Sequence, residues 1–302
     1  QAIYELSMKV QVMFLATWFS IIVQVNAEAE RLFDTRKLDL TNFIEEVLSD
    51  EAIPKGAEIT ELLEKGLKVK QLKIKNVESS VDKGIYKYAE ERTYQLVKPY
   101  NCGKCDKWHN SGATAWALSE DGLMVSNFHC FVKNIEEGMG VTNSDLEMFP
   151  VVEILIADQN SDFVIFKVKL PEGRSIKAFP VGQPASRGDD LHLVSHTLGK
   201  KYYYSRGYVS GYVRRVNRGV SKAKEALWMQ TELGYGFGSS GGAIINDEGE
   251  VVGMVSYIDP SFADRNKNNV KEGVATDYYA NKIFEHTVPV SAMRKRLVIE
   301  GE

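Results

Sequence analysis

The stretch with the clearest capacity for chemistry is the glycine-rich segment 234–243, which contains Ser239 and Ser240. It runs into the apolar residues 243–245 and, after a turn, into 251–255, so the pattern predicts a loop held against a buried hairpin rather than a linker. Glycine allows close backbone approach, and a serine presented beside backbone N–H groups suits acyl transfer. A tight turn that merely contains two serines is the structural alternative.

A serine nucleophile needs a base, and the base needs an orienting carboxylate. The five histidines are His109, His129, His192, His196 and His286. His129 follows the apolar residues 123–125, while Asp162 lies between a polar turn and the apolar run 163–166. A lone histidine after a strand is usually structural, whereas a carboxylate beside a buried strand is costly unless it is paired.

Three motifs in order resemble those of the trypsin-like serine peptidases. Ser-Asn-Phe-His-Cys at 126–130 is similar to the histidine motif, Asn-Ser-Asp-Phe-Val at 160–164 to the aspartate motif, and Gly-Ser-Ser-Gly-Gly at 238–242 to the nucleophile motif. The resemblance covers about residues 95–297 and is closest to the compact bacterial HtrA-like branch. No PDZ domain is expected after the peptidase-like part.

This resemblance implies a serine endopeptidase with Ser240 as the nucleophile, His129 as the general base and acid, and Asp162 as the orienting carboxylate. The backbone N–H groups of Gly238 and Ser240 would form the oxyanion hole. Ser239 replaces the Asn or Asp that is common before the nucleophile, which is a mild change because this residue contributes mainly backbone. The predicted chemistry requires no cofactor.

The resemblance also implies a substrate pocket formed by Gly234, Ser256, Tyr257 and Ile258. Gly234 stands six residues before the nucleophile, where peptidases specific for basic residues carry Asp, so cleavage after Lys or Arg is not expected. Ile258 replaces a common glycine and is expected to narrow the pocket mouth. We therefore expect cleavage after small or medium apolar residues. At 113–115, Ala-Thr-Ala replaces a common Gly-Ser-Gly.

The cysteines allow several interpretations. Cys102 and Cys105 could form a redox-active or structural disulfide, could bind a metal together with His109 and with Cys130 as a fourth ligand, or could remain free thiols. Asp106 follows Cys105 where a c-type haem site needs His, which excludes that site. A thiol or metal protein centred on this pair, and a non-catalytic binding or chaperone module, are the alternative functions.

The N-terminal residues indicate export. Met8 and Lys9 precede the mainly apolar segment 10–25, and small residues follow at Ala27 and Ala29. This order is typical of a secretory signal peptide, so residues 1–29 are predicted to be removed, with 1–7 as an upstream extension. An uncleaved anchor is the alternative, although the segment is shorter than the about 20 residues of a membrane span.

Composition sets the remaining limits. The chain has 302 residues, 44% hydrophobic and 26% charged, with a net charge of −4. This predicts packed domains and gives no sign of nucleic-acid binding, so the expected partners are protein or peptide substrates, without stable membrane insertion after signal cleavage.

Short apolar runs separated by turns predict an all-β fold from residue 86 onward. By resemblance, this part, residues 86–302, contains two packed six-stranded antiparallel barrels, at about 86–180 and 181–302. A mainly helical and extended region at 30–85 precedes it. A C-terminal helix at 288–297, capped by Ser291, is expected to close the domain.

Overall fold

The computed structural model describes residues 38–132, 135, 137–216, 224–261 and 282–301. The predicted signal segment lies outside these ranges. Within them, no helix is both long enough and apolar enough to cross a membrane.

The region before the barrels contains three helices and one strand: α1 (Thr41–Ser49), α2 (Gly56–Lys68), β1 (Leu72–Ile74) and α3 (Ile85–Glu90). Helix α1 buries Phe43, Ile44 and Val47, the same face that its apolar spacing predicts. The Asp39 carboxylate accepts a hydrogen bond from the Thr41 N–H at 3.0 Å. Helix α2 buries Ile59 and Leu63 in the core of the first barrel, so this region is part of the folded body.

The first barrel has six strands in the closed order β2-β5-β6-β9-β8-β7, and a short hairpin, β3–β4, is inserted after its first strand. In chain order the strands are β2 (Thr93–Val97), β3 (Pro99–Asn101), β4 (Trp108–Asn110), β5 (Ala113–Ala117), β6 (Leu123–Ser126), β7 (Gly140–Thr142), β8 (Met148–Asp158) and β9 (Phe163–Val168). Alternate side chains point inward and fill the barrel with aliphatic and aromatic groups.

The second barrel also has six strands, in the closed order β10-β11-β12-β15-β14-β13. They are β10 (Asp190–Ser195), β11 (Tyr203–Val216), β12 (Glu225–Glu232), β13 (Ala243–Ile245), β14 (Val251–Ser261) and β15 (Lys282–Pro289). Two antiparallel barrels confirm the predicted fold class. The glycine-rich loop connects β12 with β13, whose pairing with β14 matches the predicted hairpin.

The chain end differs from the prediction. Helix α4 (Val290–Arg294) has five residues rather than ten, and its N-cap is Pro289, without a side-chain cap from Ser291. The reason is that Val288 and Pro289 are already paired with β14, so the sheet ladder prevails over the helical pattern. After α4, the strand β16 (Leu297–Ile299) pairs in parallel with β1.

Arg296, between α4 and β16, joins three distant parts of the chain. Its guanidinium donates to the Asp158 carboxylate at 2.5 Å and to the carbonyl oxygens of Lys70 at 2.9 Å and Val69 at 2.5 Å. Asp158 ends β8, four residues before Asp162. The turn that carries Asp162 is therefore anchored from behind by the C-terminal segment.

Candidate active site

The structure brings the predicted base and its carboxylate into direct contact. His129 Nδ1 lies 2.9 Å from Asp162 Oδ2, and the His129 backbone N–H donates to Asp162 Oδ1 at 3.0 Å. The carboxylate is almost completely buried, whereas the imidazole keeps about a third of its side-chain area exposed (32%). A buried carboxylate with several donors can hold one imidazole orientation while the opposite ring edge remains accessible.

Local backbone structure places these two residues. After β6, the chain forms a single 3₁₀ turn at Phe128–Phe131 that carries His129. Asp162 has a φ of 56°, a left-handed conformation that Asp tolerates better than most residues. Asn127 Nδ2 donates to the Asp162 carbonyl oxygen at 2.9 Å and joins the two turns.

Ser256 connects the second barrel to this pair. Its hydroxyl donates to Asp162 Oδ2 at 2.5 Å, and its carbonyl oxygen accepts from Ser240 Oγ at 3.3 Å. Asp162 thus receives hydrogen bonds from His129 in its own barrel and from Ser256 in the other. Ser256 was predicted only as a pocket residue, and its contact with the carboxylate was not predicted.

Two glycines shape the loop around Ser240. Gly238 has a φ of +93°, and a Cβ there would lie 2.3 Å from the His196 carbonyl oxygen. Gly241 has a φ of +85°, and a Cβ there would lie 2.2 Å from the Thr114 carbonyl oxygen. Both positions therefore require glycine for conformation and for space, which explains the composition of the segment.

The backbone N–H groups of Gly238 and Ser240 were predicted as oxyanion donors. Neither has a hydrogen-bond acceptor among the residues that the structure describes. In contrast, the neighbouring N–H groups are used within the loop, since Ser239 donates to the Gly236 carbonyl at 3.1 Å and Gly241 to the Val255 carbonyl at 3.1 Å.

Thr114 supports the loop from the first barrel. Its N–H donates to the Ser240 carbonyl at 2.8 Å, and its hydroxyl donates to the Gly238 carbonyl at 2.8 Å while accepting from the His196 N–H at 3.2 Å. Thr114 is fully buried. In the sequence, Thr114 was noted only as the middle residue of Ala-Thr-Ala, which replaces a common Gly-Ser-Gly. In the structure it fixes the backbone on both sides of Ser239.

A cleft of about 640 Å³ lies over these residues. His129, Asp162 and Ser240 line it together with Ser256, Tyr257 and Ile258. Its other lining residues are mainly apolar: Val132, Tyr235, Gly236, Phe237, Val255 and Pro260.

Gly234 is the one predicted pocket residue that does not line this cleft. Its N–H donates to Glu285 Oε1 at 2.6 Å, and the same carboxylate accepts from the N–H of Tyr235 at 3.3 Å, from that of Leu233 at 2.6 Å and from the Thr231 hydroxyl at 3.0 Å. The buried Glu285 thereby anchors the start of the glycine-rich loop. No signal in the sequence distinguished it from other acids.

The electrostatic surroundings of His129 favour its protonated form. Burial works to lower the pKa of His129, but the neighbouring Cys130 and the Asp162 carboxylate together outweigh it, so the pKa is raised. His196, beneath the loop, shows the opposite behaviour, because burial lowers its pKa to about 3 and keeps the ring neutral.

The cysteine cluster lies on the β3–β4 hairpin. The ligand atoms of Cys102, Cys105 and His109 lie within 4.8 Å of one another. Cys130 is not part of this group; it is buried in the core of the first barrel, which removes it as the fourth ligand. The Lys104 N–H, which donates to Cys102 Sγ at 3.4 Å, and the Cys105 thiol lower the pKa of Cys102.

Comparisons with known proteins agree with this geometry. Residues 113–254 match the family described as trypsin-like peptidase domain. The "Probable periplasmic serine endoprotease DegP-like" of Halomonas elongata is 25% identical over 166 residues, which cover 54% of this chain and 33% of that protein. A protein of the same name from Ectopseudomonas mendocina is 26% identical over 163 residues, covering 53% of this chain and 32% of that protein.

A third relative is "Serine protease HTRA2, mitochondrial" of Drosophila pseudoobscura pseudoobscura, 23% identical over 146 residues, which cover 48% of this chain and 34% of that protein. The chain thus spans about a third of the length of these curated relatives. The matched residues extend from the first barrel into the second, so this part of the chain is similar to a trypsin-like peptidase domain. Its relatives are of the DegP and HtrA kind.

Proposed function

We propose that the protein is a serine endopeptidase that hydrolyses peptide bonds through Ser240, His129 and Asp162. The observation that carries the proposal is a hydrogen-bond network in one cleft. The Asp162 carboxylate is hydrogen-bonded to both His129 and the Ser256 hydroxyl, and Ser240 Oγ donates to the Ser256 carbonyl oxygen. A buried carboxylate satisfied by an imidazole and a hydroxyl is suited to hold the base in a single tautomer.

In the proposed reaction, Ser240 Oγ attacks the peptide carbonyl while His129 Nε2 takes its proton. The negative charge passes to the carbonyl oxygen, where the N–H groups of Gly238 and Ser240 stabilise it; each such donor contributes about 3 kcal/mol in the transition state. His129 then protonates the leaving amine, and an acyl-enzyme forms. Water, deprotonated by His129, hydrolyses this ester and restores Ser240.

We further propose that substrates are cleaved after small or medium apolar residues. The cleft is lined by Val255, Tyr235 and Ile258, and the acids next to Gly234 are already engaged. Glu285 accepts four hydrogen bonds from the protein, and Glu232 pairs with Lys282. A buried lysine or arginine of a substrate would therefore lack a counter-charge. Profiling a peptide library by mass spectrometry tests this; dominant cleavage after Lys or Arg would refute it.

Export belongs to the same proposal. It rests on the order of charge, apolar segment and small residues at 8–29 and on the similarity to two relatives that are named as periplasmic endoproteases. N-terminal sequencing of the protein from its native host is expected to find a start after Ala27 or Ala29. Recovery from membranes of a form that retains Met8 would favour the anchor instead.

The decisive experiment is labelling with a fluorophosphonate, followed by mass mapping of the adduct. We expect one adduct, on Ser240, and none in Ser240→Ala. Ser239→Ala is the matched control, because this neighbouring serine is buried and its hydroxyl accepts a bond from Ser195 at 2.9 Å. A folded Ser240→Ala variant that still degrades casein would reject the assignment. A folded wild-type protein that neither reacts nor cleaves would favour the non-catalytic binding module.

A further inference from the structure

The β3–β4 hairpin carries three potential metal ligands that the proposed hydrolysis does not use. Cys102 and Cys105 lie in the connecting loop, and His109 is the central residue of β4, paired with Tyr100 of β3. The two sulfur atoms are 3.5 Å apart, and Cys105 Sγ is 3.1 Å from His109 Nε2. Three soft or borderline donors thus point to one place.

These distances fit a tetrahedral ion. With Zn–S bonds of about 2.3 Å and Zn–N bonds of about 2.0 Å, neighbouring ligand atoms lie roughly 3.5–3.8 Å apart. Two sulfurs are expected about 3.8 Å apart, and a sulfur and a nitrogen about 3.5 Å apart. The observed distances of 3.5 Å and 3.1 Å are each shorter by about 0.3–0.4 Å, a difference that a small movement of the exposed loop can close. Thiolate and imidazole together are the donor set that Zn²⁺ prefers, whereas Mg²⁺ and Ca²⁺ prefer oxygen.

The loop backbone is also shaped for the cysteine pair. The Asn101 side chain accepts from the Gly103 N–H at 2.8 Å, Gly103 has a φ of +66°, and the Lys104 N–H points at Cys102 Sγ at 3.4 Å. The turn thus presents both sulfurs on one side.

Trp108 holds the base of the hairpin on the core cluster around α1, but the loop that connects its strands is exposed. The strands of the hairpin have three residues each, and residues 103–107 are exposed. A two-stranded hairpin of this size is marginally stable in water, and small elements of this kind are held by a disulfide or a metal. We propose that Cys102, Cys105 and His109 bind one Zn²⁺ ion that fixes this hairpin, with the fourth position taken by water.

The hairpin has a physical connection to the catalytic turn. Lys98, directly before β3, is almost fully buried, and its ammonium group donates to the carbonyl oxygen of Cys130 at 3.0 Å. Cys130 follows His129 in the chain. The metal site is nevertheless independent of the proposed hydrolysis, because none of its ligands lines the cleft.

The test uses the full chain, reduced and stripped of metal, titrated with Zn²⁺ against a chromophoric chelator. We expect one ion per chain. In the Cys102→Ser, Cys105→Ser double variant this binding is expected to disappear, and in His109→Gln to weaken by at least about tenfold, since even outer partners of metal ligands are worth about 10–100-fold in affinity. Cys130→Ala is the matched thiol control and is expected to retain one ion.

Titration with Co²⁺ gives a second readout that does not depend on activity. Two thiolates in a tetrahedral site produce sulfur-to-cobalt charge-transfer bands, which we expect in the wild type and in Cys130→Ala but not in the double variant. Equal zinc binding by the wild type and the double variant would overturn the proposal. So would a reduced wild-type chain that binds no stoichiometric zinc, the outcome expected if Cys102 and Cys105 serve only as a disulfide.

Discussion

Replacing Glu285 by Gln tests whether this buried carboxylate holds the start of the glycine-rich loop. In the structure, Oε2 accepts from the Thr231 hydroxyl and the Leu233 N–H, and Oε1 accepts from the N–H groups of Gly234 and Tyr235. Gln keeps the shape but turns one oxygen into an NH₂ donor. In either orientation of the amide, two of the four donors then face another donor.

The expected loss in the free energy of unfolding follows from the two donors that lose their acceptor. A buried donor without an acceptor costs about 1–3 kcal/mol, so the two lost acceptances at Glu285 are expected to lower the free energy of unfolding by about 2–6 kcal/mol. That is a large part of the about 5–15 kcal/mol that stabilises a typical domain. Thr231→Val is the matched control, since it removes one donor and leaves the three backbone bonds, and is expected to cost about 1 kcal/mol.

Urea unfolding followed by tryptophan fluorescence measures both variants, and the rate of fluorophosphonate labelling under native conditions reports on the loop. We expect labelling of Glu285→Gln to slow even where the chain remains folded, because the loop leads directly to Ser240. A Glu285→Gln protein within 1 kcal/mol of the wild type would refute the reasoning. It would mean that removing a buried charge offsets the lost bonds.

The other predictions concern the cleft. Asp162→Asn is expected to slow turnover by about 10⁴-fold at neutral pH, because His129 would adopt the wrong tautomer; a decrease below tenfold would assign the orienting role to another acid. The reaction needs neutral His129, and the pKa of His129 is raised. The labelling rate is therefore expected to increase with pH through a midpoint above the ordinary histidine value of about 6.5. In Asp162→Asn the midpoint is expected to be lower than in the wild type. Gly241→Ala is expected to lower the melting temperature strongly, because its Cβ would lie 2.2 Å from the Thr114 carbonyl oxygen at a φ of +85°; an unchanged melting temperature in a calorimetric scan would contradict this. Ile258→Gly is expected to admit Phe and Tyr at the cleavage position, and a library profile identical to that of the wild type would show that Ile258 does not limit the pocket.

The sequence predicted the fold class and many strands because their apolar runs are continuous. The strand at Phe163–Val168 and the pair at Ala243–Ile245 and Val251–Ser261 follow from such runs. Strand β15 was not predicted, because its buried residues include Glu285, His286 and Thr287. Their polarity conceals a strand in which Glu285 accepts from the Thr231 hydroxyl and the Thr287 hydroxyl donates to the Met229 carbonyl oxygen, both of them partners that are distant in the chain.

Contacts between distant parts of the chain were equally hidden when the site was predicted. His129, Asp162 and Ser240 were identified from local motifs, and the structure places all three on one cleft. The roles of Thr114 and of the Ser256 hydroxyl could not be predicted, because each depends on contacts between the two barrels. Gly234 was predicted as a pocket residue from its distance to Ser240 in the sequence. In the structure it does not line the cleft, and its N–H donates to Glu285.

The anchoring of the Asp162 turn by Arg296 has a consequence for the order of folding. Arg296 is separated by 138 residues from Asp158 and by 227 from Val69. Contacts of such long sequence separation form late, because closing a long loop costs chain entropy before the contact can stabilise the fold. A chain that has collapsed but not yet docked its last strand therefore lacks one of the anchors of the turn that carries Asp162. The proposed peptidase thus acquires its reactivity only when few unfolded segments of its own chain remain to be cut.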